Sequence, residues 1–199
     1  MLTTFLRHGS NAVLIALALA LVAVFASGRL AVAPFGILLG VLMFFVSEYT
    51  THRFLLHAPP VQNAFVRRLQ DRLHYDHHLT PMRLDLLFLP LWFALPVVAL
   101  TTAIYAAITR SAGLTLSLLL GSVLGLLYYE WVHYVAHLKF FVPKTRFGRW
   151  IKKHHLWHHY KNERLWFGVT NPSMDWVGRT WARVEAVERS DRTRVLFPE

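Results

Sequence analysis

The segment Lys152-Lys-His-His-Leu-Trp-His-His-Tyr160 carries His154, His155, His158 and His159 beside two lysines. Imidazoles pack poorly in a core and repel one another when protonated, so a cluster of them points to a metal that takes neutral nitrogen ligands. One ion cannot use them all. Upstream the same residue type recurs at His74, His77 and His78, at His133 and His137, and at His52 and His57. Of the chain's 12 histidines, only His8 and His154 lie outside this set. His8 reads as a residue beside the membrane with no chemical role.

The clusters form one pattern written twice. His52 aligns with His133, His57 with His137, His74 with His155, and the pair His77 and His78 with His158 and His159, at an offset of about 80 residues, the mark of an internal repeat. Glu48 and Glu130 fall at matching places before the first histidine of each half. Ten imidazoles over two metals give about five nitrogen ligands each and leave room for water or dioxygen, so the pattern predicts a dinuclear site. The spacing is equally compatible with each metal held inside one half and with metals shared between halves.

The elements that must position these residues are apolar. Of 199 residues 55% are hydrophobic and 14% aromatic, too many for an ordinary soluble domain, which points to a membrane protein. Cysteine is absent, which excludes disulfides, iron–sulfur clusters and thiol nucleophiles. The formal net charge of +10 raises nucleic acid as a partner, but no nucleic-acid motif accompanies it and the distribution of Lys and Arg favours a membrane surface.

Four apolar runs fit membrane spans, at about residues 11–28, 30–51, 86–109 and 111–137. The fold class that follows is an all-α integral membrane protein, a single domain over residues 1–199. Its four transmembrane helices form two hairpins, turning near Arg29 and Arg110, beneath a cytoplasmic helical histidine-rich cap of residues 52–85 and 138–199. Val24-Phe-Ala-Ser-Gly28 has the small residues of a signal-peptide cleavage site, but the repeat demands a hairpin before each histidine set. Pro90 and Pro96 are expected to bend the third span. Arg29 and Arg110 are then the only cations on one side and the other 19 of the 21 lie on the histidine side, so the metal site and both termini face the cytoplasm.

Val61, Phe65, Leu69 and Leu73 recur every four positions and predict an interfacial helix, as do Phe147, Trp150 and Ile151 in the second half. Asn171 and Pro172 predict a helix start leading through Val177, Trp181 and Val184. The last ten residues read as polar and loose.

Spacing decides which rings can converge. His133 and His137, four apart on a helix, project from one face. His52 and His57, five apart, do not unless the helix loosens near its end. Gly36 and Gly40, and Gly121 and Gly125, allow the two histidine-bearing spans to approach closely. Glu48 and Glu130, one turn before a ligand, are expected to accept a hydrogen bond from a ligand's other ring nitrogen and fix its tautomer. His154 reads as a spare or supporting group, since His155 completes the repeat.

His52-Arg-Phe-Leu-Leu-His57, His74-Tyr-Asp-His-His78 with Pro81, His133-Tyr-Val-Ala-His137, and His154-His-Leu-Trp-His-His159 with Phe167-Gly-Val-Thr and Asp175 resemble the membrane fatty acid hydroxylase and sterol desaturase superfamily. The likeness covers about residues 40–180 and is nearest to fatty acid 2-hydroxylases in the segment from His77 to Pro90 and in the Phe167-Gly-Val-Thr tail. The resemblance implies a non-haem di-iron monooxygenase that uses dioxygen and external electrons to hydroxylate a lipid. The ligands it implies are His52, His57, His74, His77, His78, His133, His137, His155, His158 and His159, supported by Glu48, Glu130, His154 and Asp175. Eukaryotic fatty acid 2-hydroxylases often carry a fused cytochrome b5 domain, for which this chain has neither room nor haem motif. The expected electron source is therefore an external protein, cytochrome b5-like or a ferredoxin, docking on the basic face. Zinc can fill the same nitrogens but cannot do this redox chemistry, so zinc in a purified sample marks a substituted site.

Two other classes compete. A desaturase or carotenoid hydroxylase would use the same ligands. A metal transporter or sensor would place polar ligands near the bilayer midplane, whereas these spans are apolar until their ends. A metalloprotease would need His-Glu-x-x-His, which is absent.

Overall fold

The computed structural model describes residues 1–197. All regular elements among them are helical, with no strand. The long helices are α2 (Gly9–Ala26), α3 (Pro34–Thr51), α7 (Leu91–Thr109), α8 (Ala112–His137) and α9 (Arg146–Tyr160). Shorter ones are α1 (Leu2–Arg7), α4 (Ala64–Gln70), α5 (Asp76–Leu79), α6 (Leu84–Leu87) and α10 (Ser173–Val177).

Four stretches are long and apolar enough to cross a membrane: Gly9–Ala26, Pro34–Leu56, Leu84–Thr109 and Ala112–His137. Only 17–44% of each is buried inside the protein, so most of their apolar surface faces outward, which water would penalise and lipid does not. The protein is a multi-pass membrane protein.

The chain divides into two compact units. The first, Met1–Phe44 with Leu89–Trp131, has a core of Ala18, Leu21, Leu119, Leu120 and Val123. Here α3 and α8 touch backbone to backbone. A Cβ on Gly40 would run into the Leu118 carbonyl, and one on Gly121 into the Ile37 carbonyl. Small residues at this spacing allow that approach, and the backbones gain dispersion contacts that lipid cannot replace. Ser122 adds polar ties inside the apolar layer, pairing with the Tyr105 hydroxyl at 2.9 Å and donating to Gly40 O at 3.2 Å.

The second unit comprises Phe45–Phe88 and the chain from Val132 onward, and holds all ten histidines of the doubled pattern. Two of its helices differ from a regular α-helix. Residues His52–Leu56 and Asp71–Tyr75 form π-turns, each closed by a bond five residues long such as His57 N–H to His52 O at 3.0 Å. The interfacial helix expected from Val61 to Leu73 is α4, capped by Asn63 through the Phe65 and Val66 N–H groups, and it loosens into the second π-turn.

The third apolar run is broken rather than bent at Pro90. Pro90 disfavours the α region at Leu89 before it; α6 stops at Leu87, Phe88 is extended, and α7 starts after Pro90, while Pro96 is accommodated within α7. The helix predicted from Asn171 through Val184 is only α10, with Pro172 rather than Asn171 at its N-cap. Gly178 ends it and Arg179 follows at φ 57°.

Candidate metal centre

The ten histidines converge in two groups of five. His52, His57, His74, His78 and His158 form one, and His77, His133, His137, His155 and His159 the other; within each, the candidate ligand atoms lie within 4.8 Å of one another. Each group takes four rings from one half of the repeat and one from the other.

Local backbone geometry explains how the rings meet. His133 and His137 are one α-turn apart on α8, with ring centroids 5.2 Å apart. The π-turn does the same for His52 and His57: five residues make about one turn there, and the rings stand 5.0 Å apart. The buried Gln70 holds this turn's exit, donating to Leu55 O at 3.1 Å and Ala58 O at 3.2 Å. On α9, His155, His158 and His159 follow each other at helical spacing, and all three are buried. Lys152, one turn earlier, donates to Val135 O, Leu138 O and Phe141 O, closing the end of α8 that bears His137.

The facing atoms are the Nε2 nitrogens. In the first group His74 lies 2.7 Å from His57 and 3.2 Å from His52, and His158 lies 3.0 Å from His57. In the second, His77 lies 3.0 Å from His133 and 3.1 Å from His159, and His137 2.8 Å from His155. Several outer nitrogens are committed to backbone carbonyls. His52 Nδ1 donates to Phe167 O at 2.5 Å, His158 Nδ1 to Leu165 O at 2.8 Å, His78 Nδ1 to Thr193 O at 2.8 Å and His133 Nδ1 to Leu87 O at 3.0 Å. A neutral imidazole whose Nδ1 carries the proton presents a bare lone pair at Nε2. Lone pairs converging at such distances repel until a cation joins them, so each group fits a metal ion.

Protonation favours the same conclusion. Burial, followed by the neighbouring rings, pushes His57, His74, His77, His155, His158 and His159 well below the ordinary imidazole range. His78 is lowered to about 3, chiefly by burial. All are neutral at pH 7, the state that ligates a metal.

Glu48 and Glu130 take partners other than the ring nitrogens that the sequence predicts. Glu48 accepts from the Val169 N–H at 2.7 Å, the Thr170 N–H at 3.0 Å and the Thr170 hydroxyl rather than from a ring nitrogen. Asp175 accepts from the Phe167 and Gly168 N–H groups at 2.8 and 2.9 Å and from the Thr180 hydroxyl. These two carboxylates therefore fix the loop whose carbonyls hold His52 and His158. His154 belongs to neither group; it is fully buried 3.6 Å from Asp175, and burial lowers it to about 4, leaving it neutral. Glu130 accepts the Leu89 N–H at 3.2 Å, and its Oε2 has no hydrogen-bond partner among the described residues. Gln70, Lys152 and the anchoring carbonyls carry no sequence signal of their role.

A cleft of about 320 Å³ adjoins the first group, with His57, Phe54, Arg53, Glu163, Arg164 and Arg192 among its walls.

The profile of the fatty acid hydroxylase family matches residues 37–180. The ceramide very long chain fatty acid hydroxylase SCS7 of Saccharomyces cerevisiae is 34% identical over 155 residues, 74% of this chain and 38% of that protein. Fatty acid 2-hydroxylase of Rattus norvegicus is 31% identical over 150 residues, 74% of this chain and 40% of that protein. A dihydroceramide fatty acyl 2-hydroxylase of Arabidopsis thaliana is 31% identical over 152 residues, 75% of this chain and 62% of that protein. The chain thus spans 38–62% of the length of these relatives. Among solved structures, full-length scs7p, of which only the hydroxylase domain is visible, is similar at a TM-score of 0.72 and 27% identity, over 89% of this chain and 66% of that chain. Because the profile runs unbroken from α3 to the Asp175 loop and so takes in both histidine groups, the chain belongs to the fatty acid hydroxylase family.

Proposed function

We propose that this chain is an O₂-dependent di-iron lipid hydroxylase acting on the acyl chain of a fatty acid or sphingolipid. The observation that carries the reading is the pair of five-imidazole groups with their Nε2 atoms turned inward. An all-nitrogen set suits a redox-active transition metal. The relatives, a ceramide very long chain fatty acid hydroxylase and a fatty acid 2-hydroxylase, supply the substrate class.

In this reading His52, His57, His74, His78 and His158 hold one iron, and His77, His133, His137, His155 and His159 the other. Glu48, Asp175, His154 and Glu130 support them. The iron pair would supply the activation of dioxygen, with two external electrons, that attack on an unactivated C–H bond requires. The protein's own work is positional. Backbone carbonyls at Phe167, Leu165, Thr193 and Leu87 keep Nδ1 protonated on His52, His158, His78 and His133, so that Nε2 faces the metal. Burial keeps bulk water from the site, and the cleft beside His57 admits a lipid's polar end between Arg53, Arg164 and Arg192.

The same reading makes residues 1–199 one membrane-embedded domain of two transmembrane hairpins with a cytoplasmic histidine-bearing cap. The excess of Lys and Arg on the histidine side supports the cytoplasmic assignment of the centre and both chain ends. Electrons come from an external acidic carrier, cytochrome b5-like or a ferredoxin, docked on that basic face.

The test is mass spectrometry of lipids from cells with and without the gene, grown under isotopically labelled dioxygen. A labelled hydroxyl on an acyl chain is expected. A labelled ring product, or loss of two hydrogens without label, would replace the acyl hydroxylase with a carotenoid hydroxylase or a desaturase.

A further inference from the structure

The two histidine groups differ in how their outer nitrogens are satisfied. In the group of His52, His57, His74, His78 and His158, three of the five rings donate Nδ1–H to a backbone carbonyl, at Phe167, Thr193 and Leu165. In the other group, among the described residues, only His133 does so, to Leu87. The Nδ1 atoms of His77, His137, His155 and His159 are buried without a hydrogen-bond partner among the described residues.

Two of the three anchors of the first group lie on one loop. Leu165 and Phe167 flank Trp166, a fully buried residue at φ 60°, a conformation that a bulky side chain adopts only when its surroundings force it. Trp166 is held by its N–H on Thr180 O at 2.9 Å and by its indole N–H on Ala182 O at 3.0 Å. The twist aims one carbonyl at His158 and the other at His52. The next N–H groups, from Phe167 to Thr170, are taken up by Asp175 and Glu48. The second group's anchor has a smaller tie: Glu130 accepts one N–H, from Leu89, two residues past Leu87.

We infer that the two groups hold metal with unequal tenacity: the His52, His57, His74, His78 and His158 site is the retaining one, because the loop clamped by Glu48 and Asp175 fixes two of its rings, His52 and His158, and Thr193 O a third, His78, and the other site exchanges. Rings whose second nitrogen is anchored lose no orientation when the metal leaves and rebind it without reordering. Unanchored rings turn away and let the ion escape. The inference rests on the dinuclear reading of the ten histidines.

Zinc, redox-silent, is the probe. The metal-free full chain in detergent is loaded with zinc, counted per chain by elemental mass spectrometry, then mixed with a chromogenic chelator. Two zinc ions per chain are expected, released in two phases of equal amplitude whose rates differ by about 10-fold or more. His159→Ala should remove the fast phase. Glu48→Gln, close to isosteric, should speed the slow phase by about 10- to 100-fold and leave the fast one unchanged, with Asp175→Asn as an independent second disruption of the clamp. Helicity by circular dichroism verifies that each variant is folded. Two zinc ions leaving in one phase, or Glu48→Gln acting on the fast phase, overturns the inference alone. Fewer than two zinc ions bound to the unaltered chain overturns the dinuclear reading and this inference with it.

Discussion

His77 and His158 occupy matching places in the two halves of the repeat, and each stands in the histidine group otherwise built from the opposite half. His77 Nε2 is 3.0 Å from His133 Nε2, and His158 Nε2 is 3.0 Å from His57 Nε2. The exchange means that neither half of the repeat completes a five-ring group alone, so a metal bound in either group would also tie the two halves of the repeat together.

His77→Ala and His158→Ala should each lower bound metal from two ions per chain to about one, from opposite sites, and both should abolish the hydroxylated lipid. His154→Gln lies outside both groups and should retain two. Elemental analysis of the purified variants checks this; two ions in His77→Ala would show that the crossing ring is not a ligand.

Gln70 tests the π-turn. Its amide is the donor to Leu55 O and shares Ala58 O with the Tyr75 hydroxyl. Gln70→Leu removes the donor to the Leu55 carbonyl, a loss of about 1 kcal/mol. Amide hydrogen exchange should accelerate over residues 52–58 and stay unchanged in α9. Unchanged exchange over 52–58 would mean that the turn holds without Gln70.

The contrast between what the sequence revealed and what it hid follows from where the information sits. Side-chain type and period mark the apolar runs and the ten histidines, because a lipid-facing helix and a nitrogen ligand each need a particular residue. The pairing of His52 with His57 depends instead on one extra residue in a backbone turn, and a π-turn has no composition of its own. The same holds for the carbonyls of Leu87, Leu165, Phe167 and Thr193, since every residue carries one. Glu48 is legible in the sequence as a carboxylate one turn before a ligand, but its partners, the N–H groups of Val169 and Thr170, lie over a hundred residues away in the chain. The break at Pro90 shows a proline between short and long helices acting as a stop, which frees Leu87 O for His133.

The contact between α3 and α8 predicts a stability effect far from the metals. Gly40→Ala and Gly121→Ala each place a methyl group against a carbonyl of the opposing helix, and overpacking of this kind costs about 1–3 kcal/mol. Gly9, with nothing within 4 Å of an added Cβ, is the control and should tolerate alanine. Thermal unfolding midpoints in detergent compare the three; a Gly121→Ala midpoint equal to that of Gly9→Ala would contradict the close approach.

The metal-free protein should be sensitive to mild acid. Burial and neighbouring rings hold His57, His74, His77, His155, His158 and His159 well below the ordinary range, and His78 at about 3, whereas the unfolded chain takes up protons on these rings near pH 6.5. Above about pH 6.5 both states leave the rings neutral, and they contribute no pH dependence. As the pH falls below that value the unfolded state binds more protons than the folded one, so stability drops, and for His78 the loss continues down to about pH 3. Asp175, raised by burial, works in the opposite sense, because its folded form takes a proton first, but it is one group against seven. The unfolding midpoint of the metal-free chain in detergent should therefore fall between about pH 7.5 and about pH 5.5. Equal midpoints at the two pH values would mean that the rings already accept protons in the folded state, which a closed, neutral, metal-ready cluster does not permit.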